Sequence, residues 1–262
     1  MRRYLKLIVG FWGASVMRGT ELRASFFVSL LDSATALLLS VLFFEIVYTH
    51  VHSIAGWSKY GVLLLLGIFS LQMAILNMIV RPGLVQMGRL VHRGDLDGYL
   101  TKPIPSQFTI TFLGFDVFRA FDLILALVLT VYSILKLGIC PTPLQWLMAA
   151  IHFGAALVIV YSIWYISLTL VVWTTVLSSW ISLVPNIFSF SQYPASIYKG
   201  KLKLFFMTAL PIAVVVNSPA SSLLGRMSWM SVGYSVLLAA LFLGLSIAFW
   251  NKALRFYSSA SS

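Results

Sequence analysis

Fifty consecutive residues, 144 to 193, contain no Asp, Glu, Lys or Arg. As one helix they would run about 75 Å at about 1.5 Å per residue, far beyond a hydrocarbon core of about 30 Å. The run therefore reads as two membrane spans, 144–166 and 170–192, with a tight turn around residues 166–175 that no Gly or Pro marks. A chain of 262 residues cannot hide this much apolar surface in a soluble core. Only 10% of its residues are charged, against about 25% in a typical soluble domain. Lipid is the expected solvent.

Four more apolar stretches reach the roughly 20 residues that a helical span needs: 26–49, 60–80, 109–137 and 232–250. The expectation is an all-α polytopic membrane protein, one transmembrane domain over 1–262, with six transmembrane helices and both termini on one side. The segment "KGKLKLFFMTALPIAVVVNSPASSLLGR", residues 199–226, leaves two readings open. Pro211 and Pro219 interrupt a helical ladder, so it either crosses as a full span or dips in and returns as a re-entrant pair of short helices. If it crosses, 144–193 holds a single long span, and the total is six either way. The start, "MRRYLKLIVGFWG", has no cleavage site, so it is not read as a signal peptide. Leu5, Ile8, Val9, Trp12 and Val16 recur at helical spacing, so residues 1–24 suit an amphipathic helix lying in the membrane interface.

The net charge is +11, but the basic residues sit in small clusters beside apolar runs rather than along a soluble stripe. That pattern sets topology and argues against nucleic acid as a partner. Arg2, Arg3, Lys6, Arg18, Arg23, Arg81, Arg89, Arg93, Lys102, Lys252 and Arg255 fall on one side, opposed by Lys59 and Lys136. The first group should face the cytoplasm. Lys199, Lys201 and Lys203 favour the full-span reading, because a re-entrant hairpin would leave them outside. Cys140 is the only cysteine, so neither an intrachain disulfide nor a thiolate metal cluster can form.

Between the second and third spans lies "GRLVHRGDLDGYLTKPIPSQF", a polar, glycine-broken insert inside residues 81–108. Leu84, Met87, Leu90 and Val91 place one apolar face on a short helix. Gly94 should end it, Asp95 is positioned to cap the next turn, and Pro103 with Pro105 should redirect the chain. The plain reading is a solvated loop whose charges fix topology. The sharper one is a rigid knuckle that docks in a groove of a cytoplasmic protein.

Three runs, in order, carry a resemblance: "LVHRGDLDGYLTKPIPSQF", "YPASIYKGKLKLFFMTALPIAVVVNSPASSLLG" and the ending "FWNKALRFYSSASS". Together they resemble permease subunits of the type-2 class of ABC exporters, more narrowly the viologen-exporter-like branch. The resemblance implies a cytoplasmic coupling helix between spans two and three that contacts an ATPase, and a re-entrant outer hairpin over 204–224. It puts Arg89, Arg93, Asp95, Leu96, Asp97, Tyr99, Lys102 and Pro103 at the ATPase contact, and Pro211, Asn217 and Pro219 in the hairpin. Ala213, Val214 and Ser218 depart from the usual pattern near the outer gate, where substrate type would be set. The implied partners are two ABC ATPase subunits, a second permease (an identical copy or a relative) and membrane lipids. The implied location is the bacterial cytoplasmic membrane.

The chain has no G-x-x-x-x-G-K-[ST] loop; "KGKL" lacks its upstream glycine and its hydroxyl residue. If the function is active transport, ATP and Mg must be bound by another chain. Charges inside spans cost about 2.5–3.5 kcal/mol each, so they need partners or tasks. Asp116, Arg119 and Asp122 fall at i, i+3 and i+6, as a self-neutralised triad or as residues facing the pathway. Asp32 near the inner interface and Glu45 near the outer end are further pathway or interface candidates. No catalytic constellation and no metal site is expected. A secondary transporter or channel without an ATPase is the competing reading, though no internal repeat supports it.

Overall fold

In the computed structural model, residues 10–13, 15, 23–101, 103–174, 177–208, 210–211 and 213–256 are described. Most of the expected N-terminal interfacial helix, Lys102 and the last six residues lie outside them. The elements are α1 (Arg23–His50), α2 (Lys59–Ile79), α3 (Arg81–Arg93), α4 (Asp97–Leu100), α5 (Ser106–Thr111), α6 (Ala120–Leu137) and α7 (Pro143–Thr169). They continue with α8 (Leu177–Phe188), α9 (Gly200–Thr208), α10 (Ser218–Leu223) and α11 (Trp229–Leu254). The chain is an all-α polytopic membrane protein. Among the described residues, five helical stretches are long and apolar enough to cross a bilayer: Phe27–His50, Lys59–Ile79, Val117–Leu137, Pro143–Val172 and Trp229–Leu254.

Helix α2 sits at the centre. Its face from Val62 to Ile68 is buried and packs closely on α6, where the Thr130 backbone lies so near Gly67 that a Cβ there would stand 3.1 Å from the Thr130 Cα. On the other side α7 packs along α11 and α10. By contrast, α1 turns Phe27, Leu31, Leu39 and Ile46 outward, and α11 does the same with Leu237, Leu241 and Leu245. Inside these apolar helices, hydroxyls bond back to the carbonyl four residues earlier: Thr130 to Ala126, Ser133 to Leu129, Ser162 to Val158 and Thr169 to Tyr165. That arrangement removes the penalty of an unpaired polar group in lipid. The start of α7 is fixed by a capping box, in which Thr142 and Gln145 satisfy each other's backbone N–H and Pro143 stands at the first turn.

Two expected spans take a different form. Residues 109–137 are not one helix: α5 ends at Thr111, and α6 begins only at Ala120 after a 3-10 turn, Val117–Arg119. The break is held by the Asp116 N–H, which donates to Met78 O at 2.9 Å, and by the Asp116 carboxylate, which caps Phe118 N at 3.1 Å. The stretch 170–192 contains only the 12-residue α8 with Pro185 inside it, followed by a 3-10 turn at Ser189–Gln192. Twelve residues reach about 18 Å, short of a bilayer. Trp173 packs on Phe249 and Phe256, beside the end of α11, whereas Ser196 reaches Ala55 O in the loop between α1 and α2. The chain thus travels from one end of the bundle to the other in short pieces.

The segment that follows begins and ends at the same place. Ser196 donates to Ala55 O at 3.3 Å, and the Arg226 guanidinium stands 5.5 Å from the Trp57 ring, both in the 51–58 loop. Between them, Gln72, about 20 Å along α2 from its start, donates to Val215 O at 2.7 Å.

Candidate functional site

The polar insert is built as a helix clamped from beneath. Pro82 occupies the first turn of α3, where its missing N–H costs nothing, and Gly94 closes the helix in a left-handed conformation with φ 74°. Leu84 and Met87 are fully buried, while Arg89 and Arg93 are exposed. The clamp is a close crossing on α5. A Cβ on Gly83 would stand 2.1 Å from Ile110 O and 2.5 Å from Thr111 O; one on Gly114 would meet the Pro82 Cβ and Gln86 Nε2, each at 2.8 Å. Only glycine permits this backbone-on-backbone approach. Helix α3 and residues 110–114 are therefore in direct, close-packed contact.

Beyond α3, Asp95 is exposed and does not cap the next turn; α4 starts at Asp97, with Leu96 before it making no side-chain cap. Leu96 itself is fully buried. It anchors the turn from below, because its side chain has no solvent-facing surface to offer a partner. Asp97 and Tyr99 are half-buried and Pro103 is exposed. The exposed face thus mixes Arg89, Arg93, Asp95 and Pro103. The N-terminal segment meets the same end, where Trp12 stacks on Phe115 at 4.5 Å.

The triad of span three stands at the start of α6, and α1 adds a fourth member. Arg119 lies 3.2 Å from Asp122, 3.6 Å from Asp32 and 4.0 Å from Asp116. One guanidinium among three carboxylates leaves a formal charge of −2 for the group, beside a cavity of about 200 Å³ that Asp32, Ser70, Asn77, Arg119 and Asp122 help to line. Glu45 is not part of it. Its carboxylate pairs with Lys59, across the 51–58 loop at the other end.

Within the segment 204–224, residues Ala213–Asn217 form a π-helical turn and Pro219 opens α10. Pro211, Asn217 and Pro219 are buried. The Ala195 N–H donates to the Asn217 carbonyl at 3.2 Å, and Ser222 lies 3.1 Å from His152 Nδ1 on α7. Tyr198 donates to Phe190 O at 2.7 Å, and burial pushes its phenol up to about 12.

The sequence reading missed two groups. Gln72, fully buried, binds the hairpin backbone. Gln107 on α5 joins Tyr161 on α7 and Ser246 on α11, residues 54 and 139 positions away. No spacing along the chain reveals such a cluster. The Gly83 clamp did leave a signal, because a glycine inside a short helix costs about 1 kcal/mol against alanine and implies a packing reason.

An amphipathic helix fixed onto the foot of a polytopic helical bundle is what a transport subunit moved from outside the membrane requires. The family model for ABC-2 family transporter proteins matches residues 34–261. The chain belongs to that family and is the permease subunit of an ABC transporter, the membrane component through which transport occurs. No curated protein and no solved structure matches it.

Proposed function

We propose that this chain is the membrane-spanning half of an ATP-driven exporter in the bacterial cytoplasmic membrane, with both termini in the cytoplasm. The observation that carries the reading is the glycine-clamped helix Arg81–Arg93, whose exposed face of Arg89, Arg93 and Asp95 is free to meet a partner while its buried face grips α5. Two ABC ATPase subunits, binding ATP and Mg themselves, dock on residues 81–108. Two permease chains, identical or related, form the pathway. ATP-driven closure of the ATPases pushes α3 and rocks the helices, a hinge or shear movement between two packed states. The passage through α8 serves as the fifth span, and residues 204–224 form a re-entrant hairpin at the outer face, as the shared location of Ser196 and Arg226 supports. Amphiphilic or cationic small molecules, drugs or lipid-like compounds are the substrate class. The three sequence runs favour the viologen-exporter-like branch.

The test is co-purification with the ATPase into vesicles, comparing ATP hydrolysis with transport. Reversing both charges in Asp95→Lys with Asp97→Lys should abolish transport while hydrolysis continues. Unchanged coupling would remove the docking role, and transport driven by an ion gradient alone would return the competing reading. Cys140, exposed in the loop after α6, gives a second test. A membrane-impermeant maleimide should label it in intact cells, and labelling only after lysis would invert the topology.

A further inference from the structure

A second cavity among the described residues lies away from the charged group, at the end of the bundle that carries α3. It measures about 810 Å³, within the range of small-molecule sites. Helices α2, α5, α7 and α11 wall it, and none of its described lining residues carries a charge. Most are apolar, such as Leu76, Phe108, Leu157 and Leu243, and the polar exceptions converge from α5 and its neighbours.

Those polar groups are nearly all satisfied. Gln107 uses both its N–H bonds, to the Tyr161 hydroxyl oxygen at 3.1 Å and to Ser246 Oγ at 3.0 Å. Thr111 donates to Gln107 O at 2.7 Å, which leaves Tyr161 to donate to Thr111 Oγ1 at 2.9 Å. Trp250 Nε1 donates to Ser106 Oγ at 3.0 Å. Asn251 is exposed, and one buried atom of the lining is left over: Gln107 Oε1, on a side chain 8% exposed, has no partner. A buried amide oxygen without a donor is destabilising, because it has lost its water without gaining a partner. Turning the amide over leaves Nε2 unpaired instead, so the deficit stays in either orientation.

We infer that this cavity binds an uncharged amphiphile whose hydroxyl group pairs with the Gln107 amide and whose chain fills the apolar remainder. A hydroxyl both donates and accepts, so it serves either orientation of the amide. A cation is disfavoured because no carboxylate lines the cavity and an unpaired buried charge is costly. The inference deepens the export reading by giving it a substrate class. Binding is measured on the permease without ATP, so a failure to bind and a failure of ATP-driven transport are separate results.

The experiment uses the full chain in lipid nanodiscs and a long-chain monoacylglycerol bearing a photoreactive diazirine. Saturable labelling should map to 106–111 and 229–254. Monooleoylglycerol should compete, and a trimethylammonium amphiphile of equal chain length should compete at least about tenfold more weakly. Gln107→Leu should weaken binding about fivefold, the worth of one hydrogen bond. Leu157→Trp, which narrows the cavity while leaving Gln107 in place, should lower labelling about tenfold; it also carries the test if Gln107→Leu fails to fold. Supplying the probe from water or building it into the bilayer separates a soluble cargo from a resident lipid, and saturable labelling in either arm supports the site. Absence of saturation in both arms, full labelling of Leu157→Trp, or equal competition by the cation would overturn it.

Discussion

The two short-helix segments, 81–119 and 200–226, are each proline-marked and too broken to cross a bilayer, the first rich in charge and the second mostly apolar, yet they are held in different ways. The first is locked by main chain against main chain at Gly83 and by the close fit of Gly114 against the Pro82 and Gln86 side chains. The second is buried from Val214 to Leu223 and is tied by single side-chain bonds as well: Gln72 to Val215 O, Ala195 N to the Asn217 side chain and the His152–Ser222 contact. A steric crossing has almost no compliance, since interiors are packed to crystal density. Individual hydrogen bonds, each worth about 1 kcal/mol net, can be exchanged. The first segment is suited to transmit displacement and the second to change its packing.

Substitutions can break that contrast. The largest effect is expected from Gly83→Ala, whose methyl would overlap Ile110 O; about 3 kcal/mol of stability should be lost, visible as a lower Tm in nanodiscs, with transport falling more than tenfold. If Gly83→Ala were silent, the clamp would be no clamp. Gln72→Leu should cost about 1–2 kcal/mol by baring Val215 O, and should perturb transport without altering ATP hydrolysis. Asp32→Asn should change stability by no more than about 1 kcal/mol, since the Asp32 side chain is 65% exposed and the Arg119 cluster keeps two other carboxylates. The smallest is Tyr198→Phe. The folded phenol has its pKa raised to about 12 from the ordinary 10.0, so its contribution is complete below about pH 10 and is lost as pH rises through about 12. The variant should lack that alkaline loss in an unfolding series.

The long helices were legible because apolar length is a local property, and α1, α2, α7 and α11 match runs visible in the chain. The break before α6 was not, although Gly114 and Asp116 both stood in view. Thr109 to Leu113 reads as the start of a continuous span, and only the bond from Asp116 N to Met78 O, 38 positions back, shows why it stops. The stretch 170–192 was read as one span, and Pro185, in view in the sequence, falls inside its 12-residue helix α8. The triad at Asp116, Arg119 and Asp122 was legible from its spacing. The contribution of Asp32 was not, because it arrives from another helix. Gln107, Tyr161 and Ser246 belong together only in three dimensions.

The bond from Gln72 to Val215 O has a further consequence. A π-helical turn leaves carbonyl oxygens that its own ladder does not fully employ, and in hydrocarbon each bare one costs several kcal/mol. If the hairpin withdraws from α2, that oxygen must find another donor at once, and water is the only plentiful one. Displacement of the hairpin and wetting of the interior would then occur as one event, so a dehydrated bundle would be a shut one.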